Sequence, residues 1–197
     1  MLFTPAARFS IPAPPDFQLP RDANSYGYVV LAPNRWSVEE QALYRAMDLP
    51  GGPALVRLAQ PGFSGFARPV KPAPPRLIVH ASRALTPIDR AEIRRQATRM
   101  LRLDFTRRDA ARFHRLDARW QASGRARLFR SPSFFEDTIK TVTSCNVAWP
   151  STVNMNERLC AVLGKPVPGH RGWRTFPATG ATVGTGPPLV NPWGRCG

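Results

Sequence analysis

Residues 124–164, GRARLFRSPSFFEDTIKTVTSCNVAWPSTVNMNERLCAVLG, carry the most specific pattern of the chain, because they predict two consecutive helices with a short link between them. The first helix begins after Ser133, and Ser133 and Glu136 have the spacing of a capping box. An apolar stripe at helical spacing follows, formed by Phe135, Ile139 and Val142. We therefore expect this helix to bury one face against a neighbouring element.

The second helix of this stretch is separated from the first by Pro150, which disfavours a helical conformation of the preceding residue and cannot donate a backbone hydrogen bond. Ser151 is suited to cap the second helix, and Gly164 is suited to end it. The apolar positions of this helix are Val153, Leu159, Val162 and Leu163. Asn146 is thereby placed on a tight link between the two helices.

A short polar link of this kind has chemistry that suits contact with a DNA duplex. A protein that excises a damaged base must first rotate the nucleotide out of the stack and hold the duplex open. A compact amide such as Asn146, with two donors and one acceptor, is suited to fill the vacated space and to bind the orphaned partner base. The free amides at the start of the second helix, near Ser151, are suited to hold a phosphate.

The residues before this stretch predict an antiparallel sheet. Prolines are frequent in residues 1–20, so we expect an extended arm there, with ordered structure beginning near Asp22. Three short β-like runs, each bounded by Pro, Gly or Asn, follow at residues 26–31, 54–59 and 76–80. Their short length and spacing favour hairpins over parallel crossover connections.

Helical patterns begin at Thr86, which we expect to be an N-cap, with Pro87 at the first helical position and Asp89 at the third. A second helix is predicted over residues 110–120. Its apolar face comprises Phe113, Leu116 and Trp120. The arginines on the other faces of these helices are interpreted as solvated surface, namely Arg94, Arg95, Arg107, Arg108 and Arg112.

The predicted fold class is therefore α+β. An N-terminal antiparallel sheet with packed helices is expected over residues 21–122, and the first helices of an incomplete helical domain over residues 123–165. Residues 166–197 are rich in Pro, Gly and Thr and show no apolar periodicity, so we expect an irregular tail.

The net charge of +15 and the pI of about 11.4 indicate a polyanionic partner, nucleic acid first of all. Only three of the basic residues are lysines, and arginine suits bidentate phosphate contacts. A lysine-poor composition rich in Arg, Ala and Pro also arises from GC-rich coding DNA without selection for binding. Charge alone therefore leaves both explanations open.

The cysteines, Cys145, Cys160 and Cys196, are odd in number and form no C-x-x-C pair, which argues against a disulfide framework and a zinc ribbon. His114 and His170 have no second ligand at metal spacing, so no metal site is expected. No apolar run has the length of a signal peptide or a membrane span. We expect a cytoplasmic, nucleoid-associated bacterial protein.

Residues 124–164 resemble the corresponding segment of the helix-hairpin-helix DNA glycosylase superfamily, above all its 8-oxoguanine and 3-methyladenine branches. The shared features are Gly124, residues 127–130, Pro132, Phe135 with Glu136, Asn146, Met155, residues 157–159, and later Phe176 with Pro177. The resemblance extends more weakly back to residue 16. It implies that Asn146 fills the space around the estranged base. The residues expected to contact DNA are Asn146, Ser151, Arg127 and Arg130.

The resemblance also implies that catalysis lies further along such chains, in a glycine-rich hairpin followed by an aspartate and, in bifunctional members, with a lysine nucleophile. Neither Asp nor Lys occurs after Phe176, so we expect no catalytic residue here and a chain truncated before that hairpin. The predicted function is base-excision repair by a monomer without a cofactor, bound to double-stranded DNA containing a damaged purine. A non-catalytic DNA-binding fragment, a gene remnant and a general RNA binder are the alternatives.

Overall fold

The computed structural model describes residues 3–62 and 75–179, and over these residues the strands form one antiparallel sheet with the order β1-β5-β4-β3-β2. The strands are β1 (Ala7–Pro12), β2 (Asn34–Ser37), β3 (Ala42–Met47), β4 (Ala54–Ala59) and β5 (Arg76–Ala81). The helices are α1 (Leu19–Ala23), α2 (Pro87–Leu101), α3 (Arg107–Leu116), α4 (Phe134–Val142) and α5 (Trp149–Leu163). The predicted α+β class is confirmed.

Two of the three predicted strands are present. β4 coincides with the run at residues 54–59, and β5 extends the run at residues 76–80 by one residue. β2 and β3 were not predicted. All six residues of β3 are buried, including Arg45, so this strand lacks the alternation of buried and exposed positions that marks a half-buried strand in a sequence.

The run at residues 26–31 does not form the predicted strand. Gly27–Val30 is a 3-10 helix, and the Leu31 amide donates to the Tyr28 carbonyl at 3.2 Å. Tyr28 and Val29 are both buried although they are adjacent, whereas adjacent side chains of a strand point to opposite faces. The Asn34 side chain also donates to the Tyr28 carbonyl, at 3.0 Å, which fixes this turn against the start of β2.

The prediction of an extended arm over residues 1–20 is also wrong. β1 is an edge strand that pairs with β5 along its whole length. Phe17 and Leu19 then enter the main core, where they are 1% and 0% exposed. Because proline cannot donate to a ladder, it is tolerated on edge strands, and Pro12 lies at the end of β1.

α2 begins as predicted, at a complete capping box. The Asp89 amide donates to the Thr86 hydroxyl and the Thr86 amide to the Asp89 carboxylate, both at 3.1 Å. The buried face of α2 packs in the main core with the sheet and α1. Phe129 belongs to the same core, so the predicted boundary between residues 21–122 and 123–165 does not divide two cores.

α3 differs from its prediction in extent and in burial. It covers Arg107–Leu116 rather than residues 110–120, because the carboxylate of Asp117 accepts from the amide of Arg119 and starts a separate 3-10 turn. Leu116 is 81% exposed and Trp120 is 40% exposed, so the expected apolar face is not a core face.

Residues 165–177 of the predicted irregular tail form no helix or strand, but they are held by an isolated bridge between Pro166 and Arg174 and by backbone hydrogen bonds. The Val167 amide donates to the Trp173 carbonyl and the Thr175 amide to the Lys165 carbonyl, both at 3.0 Å. Phe176 is 7% exposed. Residues 180–197 of the predicted tail lie outside the described residues. None of the helices in the described part of the chain has the length and apolarity needed to cross a membrane.

Candidate DNA interface

α4 begins at Ser133, whose hydroxyl accepts from the Glu136 amide at 3.2 Å. The predicted capping box is only half present, because the Glu136 carboxylate points into the protein instead. There it accepts two hydrogen bonds from Arg45 of β3, at 2.6 and 3.1 Å, and the Lys140 ammonium lies 2.7 Å from it. Glu136 therefore fixes α4 to the sheet.

In this buried cluster the Glu136 carboxylate neutralises part of the charge of Arg45 and Lys140. Burial alone raises the pKa of Glu136, but Arg45 and Lys140 outweigh this effect and hold its pKa below the ordinary value. Burial lowers the pKa of Lys140, and the contact with Glu136 opposes that change. The Lys140 ammonium also lies 5.8 Å from the Tyr28 ring and 5.7 Å from the Phe176 ring. The Glu136–Lys140 spacing of four residues was the only local sign of this cluster.

The link between α4 and α5 spans residues 143–148 and is tightly braced. The Asn156 side chain donates to the Thr143 hydroxyl at 2.9 Å, and the Thr152 hydroxyl donates to the Thr143 carbonyl at 3.2 Å. Asn156 and Thr152 are both 0% exposed. The link is therefore anchored to the buried face of α5.

Asn146 lies on this link with an exposed side chain and a backbone φ of 55°. This left-handed conformation is unfavourable for most residues with a side chain, but asparagine tolerates it. Among the described residues, no hydrogen-bond partner occupies the Asn146 amide. The predicted arrangement, a compact polar side chain on a short link between two helices, is present.

Ser151 does not cap α5, contrary to the prediction. The N-cap is Ala148, and α5 starts at Trp149 with proline in its first turn. Pro150 has no amide hydrogen, and the Ser151 amide already donates to the Ala148 carbonyl at 2.9 Å. The expected set of free amides near Ser151 is thus reduced to that of Trp149. The Ser151 side chain remains exposed.

An aromatic rim, which the sequence did not predict, flanks the link. The Tyr28 hydroxyl shares a hydrogen bond of 2.8 Å with Thr141, near the end of α4. The Trp149 ring packs directly on Gly27, where an added Cβ would lie 2.9 Å from two ring carbons. Trp149 and Tyr26 remain 43% and 44% exposed. Exposed aromatic surface therefore lies at the start of α5, three residues after Asn146.

Arg127 is a structural residue, and its predicted contact with DNA is not supported. Its side chain is 1% exposed and binds the Asp16 carboxylate at 2.9 and 3.1 Å. It also donates to the Phe105 carbonyl at 2.7 Å. Burial raises the pKa of Asp16, but Arg127 outweighs that effect and lowers it. Arg127 thus fastens the segment before α1 to the turn after α2.

Arg130 remains available. Its amide donates to the Met100 carbonyl at 3.0 Å, which places its half-buried side chain at a groove beside the end of α2. None of the residues that line this groove belongs to the link. Of the described residues, no three His, Cys, Asp or Glu side chains are grouped closely enough to hold a metal ion.

Comparison with known proteins finds solved structures of similar fold. No protein-family model matches the chain, and no curated protein sequence matches it. A solved 3-methyladenine DNA glycosylase from Archaeoglobus fulgidus is similar in structure, with a TM-score of 0.62 and 16% identity over 88% of this chain. The structure of MBOgg1 in complex with a low-affinity DNA ligand is similar with a TM-score of 0.59 and 15% identity over 92% of this chain.

The chain spans a little over half the length of these two proteins, 57% of the first and 56% of the second. At these identities the likeness concerns the fold. The chain thus has the fold that these DNA glycosylases adopt over the matched part of their own chains.

Proposed function

We propose that this chain is a DNA-repair protein of the helix-hairpin-helix glycosylase type, which binds double-stranded DNA at a damaged base through the link that carries Asn146. The observation that carries the proposal is the exposed Asn146 amide in a left-handed conformation, on a link braced by Asn156 and Thr152. The likeness to two DNA glycosylases, one of them solved with a DNA ligand, supports DNA as the partner.

In this proposal Asn146 enters the duplex where the damaged nucleotide has rotated out. Its amide provides two donors and one acceptor to the orphaned base, in place of the lost base pair. Because the link is anchored at Thr143, its backbone loses little conformational entropy when Asn146 enters the stack. The exposed rings of Trp149 and Tyr26 contribute apolar surface beside it.

We further propose a limit on what this chain does. The reaction of the glycosylase family is hydrolysis of the N-glycosidic bond of a damaged purine, and it requires groups outside these 197 residues. No aspartate or lysine follows Phe176 to support a cationic transition state or act as a nucleophile. We therefore expect this chain by itself to bind DNA without releasing a base. The same observation favours the second candidate, a non-catalytic DNA-binding protein.

The test is equilibrium binding to a duplex with one abasic site, for the wild type, Asn146→Ala, Asn146→Gly and Asn154→Ala. Asn154, an exposed asparagine on α5, controls for the loss of a surface amide, and Asn146→Gly controls for the left-handed φ of residue 146. Loss of one or two hydrogen bonds at Asn146 is expected to weaken binding roughly tenfold. Asn154→Ala is expected to bind as the wild type does. Equal affinities for all four proteins contradict the role of Asn146.

A base-release assay separates the two candidates. Duplexes containing alkylated or oxidised purines are incubated with the 197-residue chain, and free base is measured. We expect none. Release of a base by this chain would contradict the proposal that the catalytic groups lie outside it.

A further inference from the structure

Five arginine side chains line one groove of about 420 Å³ beside the C-terminal half of α2. We call it the arginine groove; its charged residues are Arg94, Arg95, Arg99, Arg102, Arg130 and Asp104. Arg95 and Arg99 are four residues apart, so they share one face of α2, and Arg102 follows directly after the helix as its C-cap. Arg130 comes from the segment before α4. Arg94 and Arg95 are exposed, in agreement with their interpretation as solvated surface, and both line this groove.

The guanidinium groups of this groove outnumber the carboxylates that pair with them. Three carboxylates are engaged: Glu92 binds Arg95 at 2.6 Å, Asp137 binds Arg99 at 2.7 Å, and Asp104 lies 3.5 Å from Arg102. Among the described residues, Arg94 and Arg130 have no carboxylate partner. The groove therefore keeps a local excess of positive charge.

The guanidinium groups of Arg94 and Arg130 make no hydrogen bond among the described residues, so their donors are unused. The Nε atom of Arg102, in contrast, is buried and faces the Asp104 carboxylate at 3.5 Å. Burial lowers the pKa of Arg130, and the neighbouring cations Arg102 and Arg99 lower it further, while Asp104 and Asp137 oppose this change without cancelling it. A bound oxyanion satisfies such donors and removes the mutual repulsion, and the planar guanidinium fork matches phosphate oxygens.

We propose that the arginine groove binds a phosphate of the DNA backbone, at a second contact separate from the Asn146 link; this inference rests on the proposed function. Because the Asn146 link is proposed to contact a duplex, the DNA backbone rather than a small anion is the expected source of that phosphate. α4 connects the two contacts, because the Asp137 carboxylate at its start binds Arg99 and the link follows its end. Its nine residues span about 13 Å. This length corresponds to about four nucleotide steps of 3.4 Å.

The test removes the two arginines that pair with no carboxylate in residues 3–62 and 75–179, so that no ion pair within this part of the chain is broken. The double variant Arg94→Gln/Arg130→Gln is compared with Arg107→Gln/Arg108→Gln, which removes the same charge from the exposed face of α3. Binding to an undamaged duplex is measured over a range of salt concentrations. We expect the slope of log K against log salt concentration to be less steep by about 0.9 in the groove variant. This change corresponds to the loss of one phosphate contact. An unchanged slope, or an equal loss in the α3 variant, overturns the proposal.

Further measurements distinguish a failure of this inference from a failure of the proposed function. Asn146→Ala is expected to lower the preference for an abasic duplex and to keep the salt slope, whereas the groove variant keeps the preference and loses slope. A wild type that binds no duplex overturns both proposals together. Inorganic phosphate is the third probe, and its effect on Tm is measured for the wild type and for the groove variant. If phosphate raises the Tm of the wild type only, while both proteins bind the duplex equally, the groove binds free phosphate. That result overturns the assignment to DNA.

Discussion

The Arg45 guanidinium on β3 and the Glu136 carboxylate on α4 are joined by two hydrogen bonds, of 2.6 and 3.1 Å, between two buried side chains. The sheet thereby positions the helix that leads into the Asn146 link. Phe129 adds a hydrophobic contact just before α4. The link is therefore held from two sides, by the sheet through α4 and by the buried face of α5.

Breaking the Arg45–Glu136 pair should destabilise the whole protein. Glu136→Gln leaves two buried cations, Arg45 and Lys140, without a neutralising charge, and removing one partner of a buried pair costs about 3–5 kcal/mol. Urea unfolding of the variant measures this loss. The control is Glu92→Gln, which breaks the more exposed pair with Arg95 and should cost at most about 1 kcal/mol. Similar losses for the two variants contradict this role of Glu136.

Acid should remove the contribution of Asp89, which caps α2. The hydrogen bond from Arg83 is the largest effect on its carboxyl, and together with bonds from Gly51 and Thr86 it holds the pKa of Asp89 well below the ordinary 3.8. A carboxyl whose pKa is lower in the folded state stabilises the protein above the unfolded value and loses that effect as the pH falls toward the folded value. The wild type should therefore be more stable than Asp89→Asn at pH 7.

This difference should shrink steadily as the pH falls below about 4, because the unfolded state then takes up the proton first. The difference is measured by urea unfolding of both proteins between pH 7 and about pH 2.5. A difference in free energy of unfolding that stays constant over this range contradicts the assignment.

Gly27 should be required for the position of Trp149. In Gly27→Ala the added methyl group would overlap the indole ring, and overpacking of this kind costs about 1–3 kcal/mol. A double-mutant cycle with Trp149→Ala measures the coupling by urea unfolding. We expect Gly27→Ala to cost little once the ring is absent. If Gly27→Ala lowers the free energy of unfolding equally with and without the Trp149 ring, the strain does not arise from contact with that ring.

Local sequence patterns were sufficient at several positions that depend on local hydrogen bonds, although they failed at the Ser151 cap and for half of the Ser133–Glu136 capping box. The Thr86–Asp89 capping box, the strand at residues 54–59 and the end of α5 at Gly164 follow from residues close together in the chain. The same reasoning failed at residues 26–31, where contacts with Asn34 and with Trp149 favour a 3-10 turn over a strand.

The site residues show the same limit. Glu136 has the spacing of a cap, and Arg127 looks like a surface cation, but each is paired with a residue about ninety to one hundred and ten positions away, Arg45 and Asp16. No local pattern indicates such a partner. The position of Asn146 was predictable because Pro150 and the two flanking helical patterns enclose it on both sides. The arginine groove was not, because Arg130 joins it only through folding.

The central claim is that the Asn146 amide, rather than the shape of the link, recognises a vacated base position. Asn146→Gly tests it most directly, because glycine adopts the φ of 55° freely and so preserves the backbone while removing the amide. The measurement is the ratio of Kd for an intact duplex to Kd for a duplex with one abasic site, at one salt concentration. We predict that this ratio falls roughly tenfold in the variant, with the free energy of unfolding changed by less than about 0.5 kcal/mol. An unchanged ratio would contradict the account.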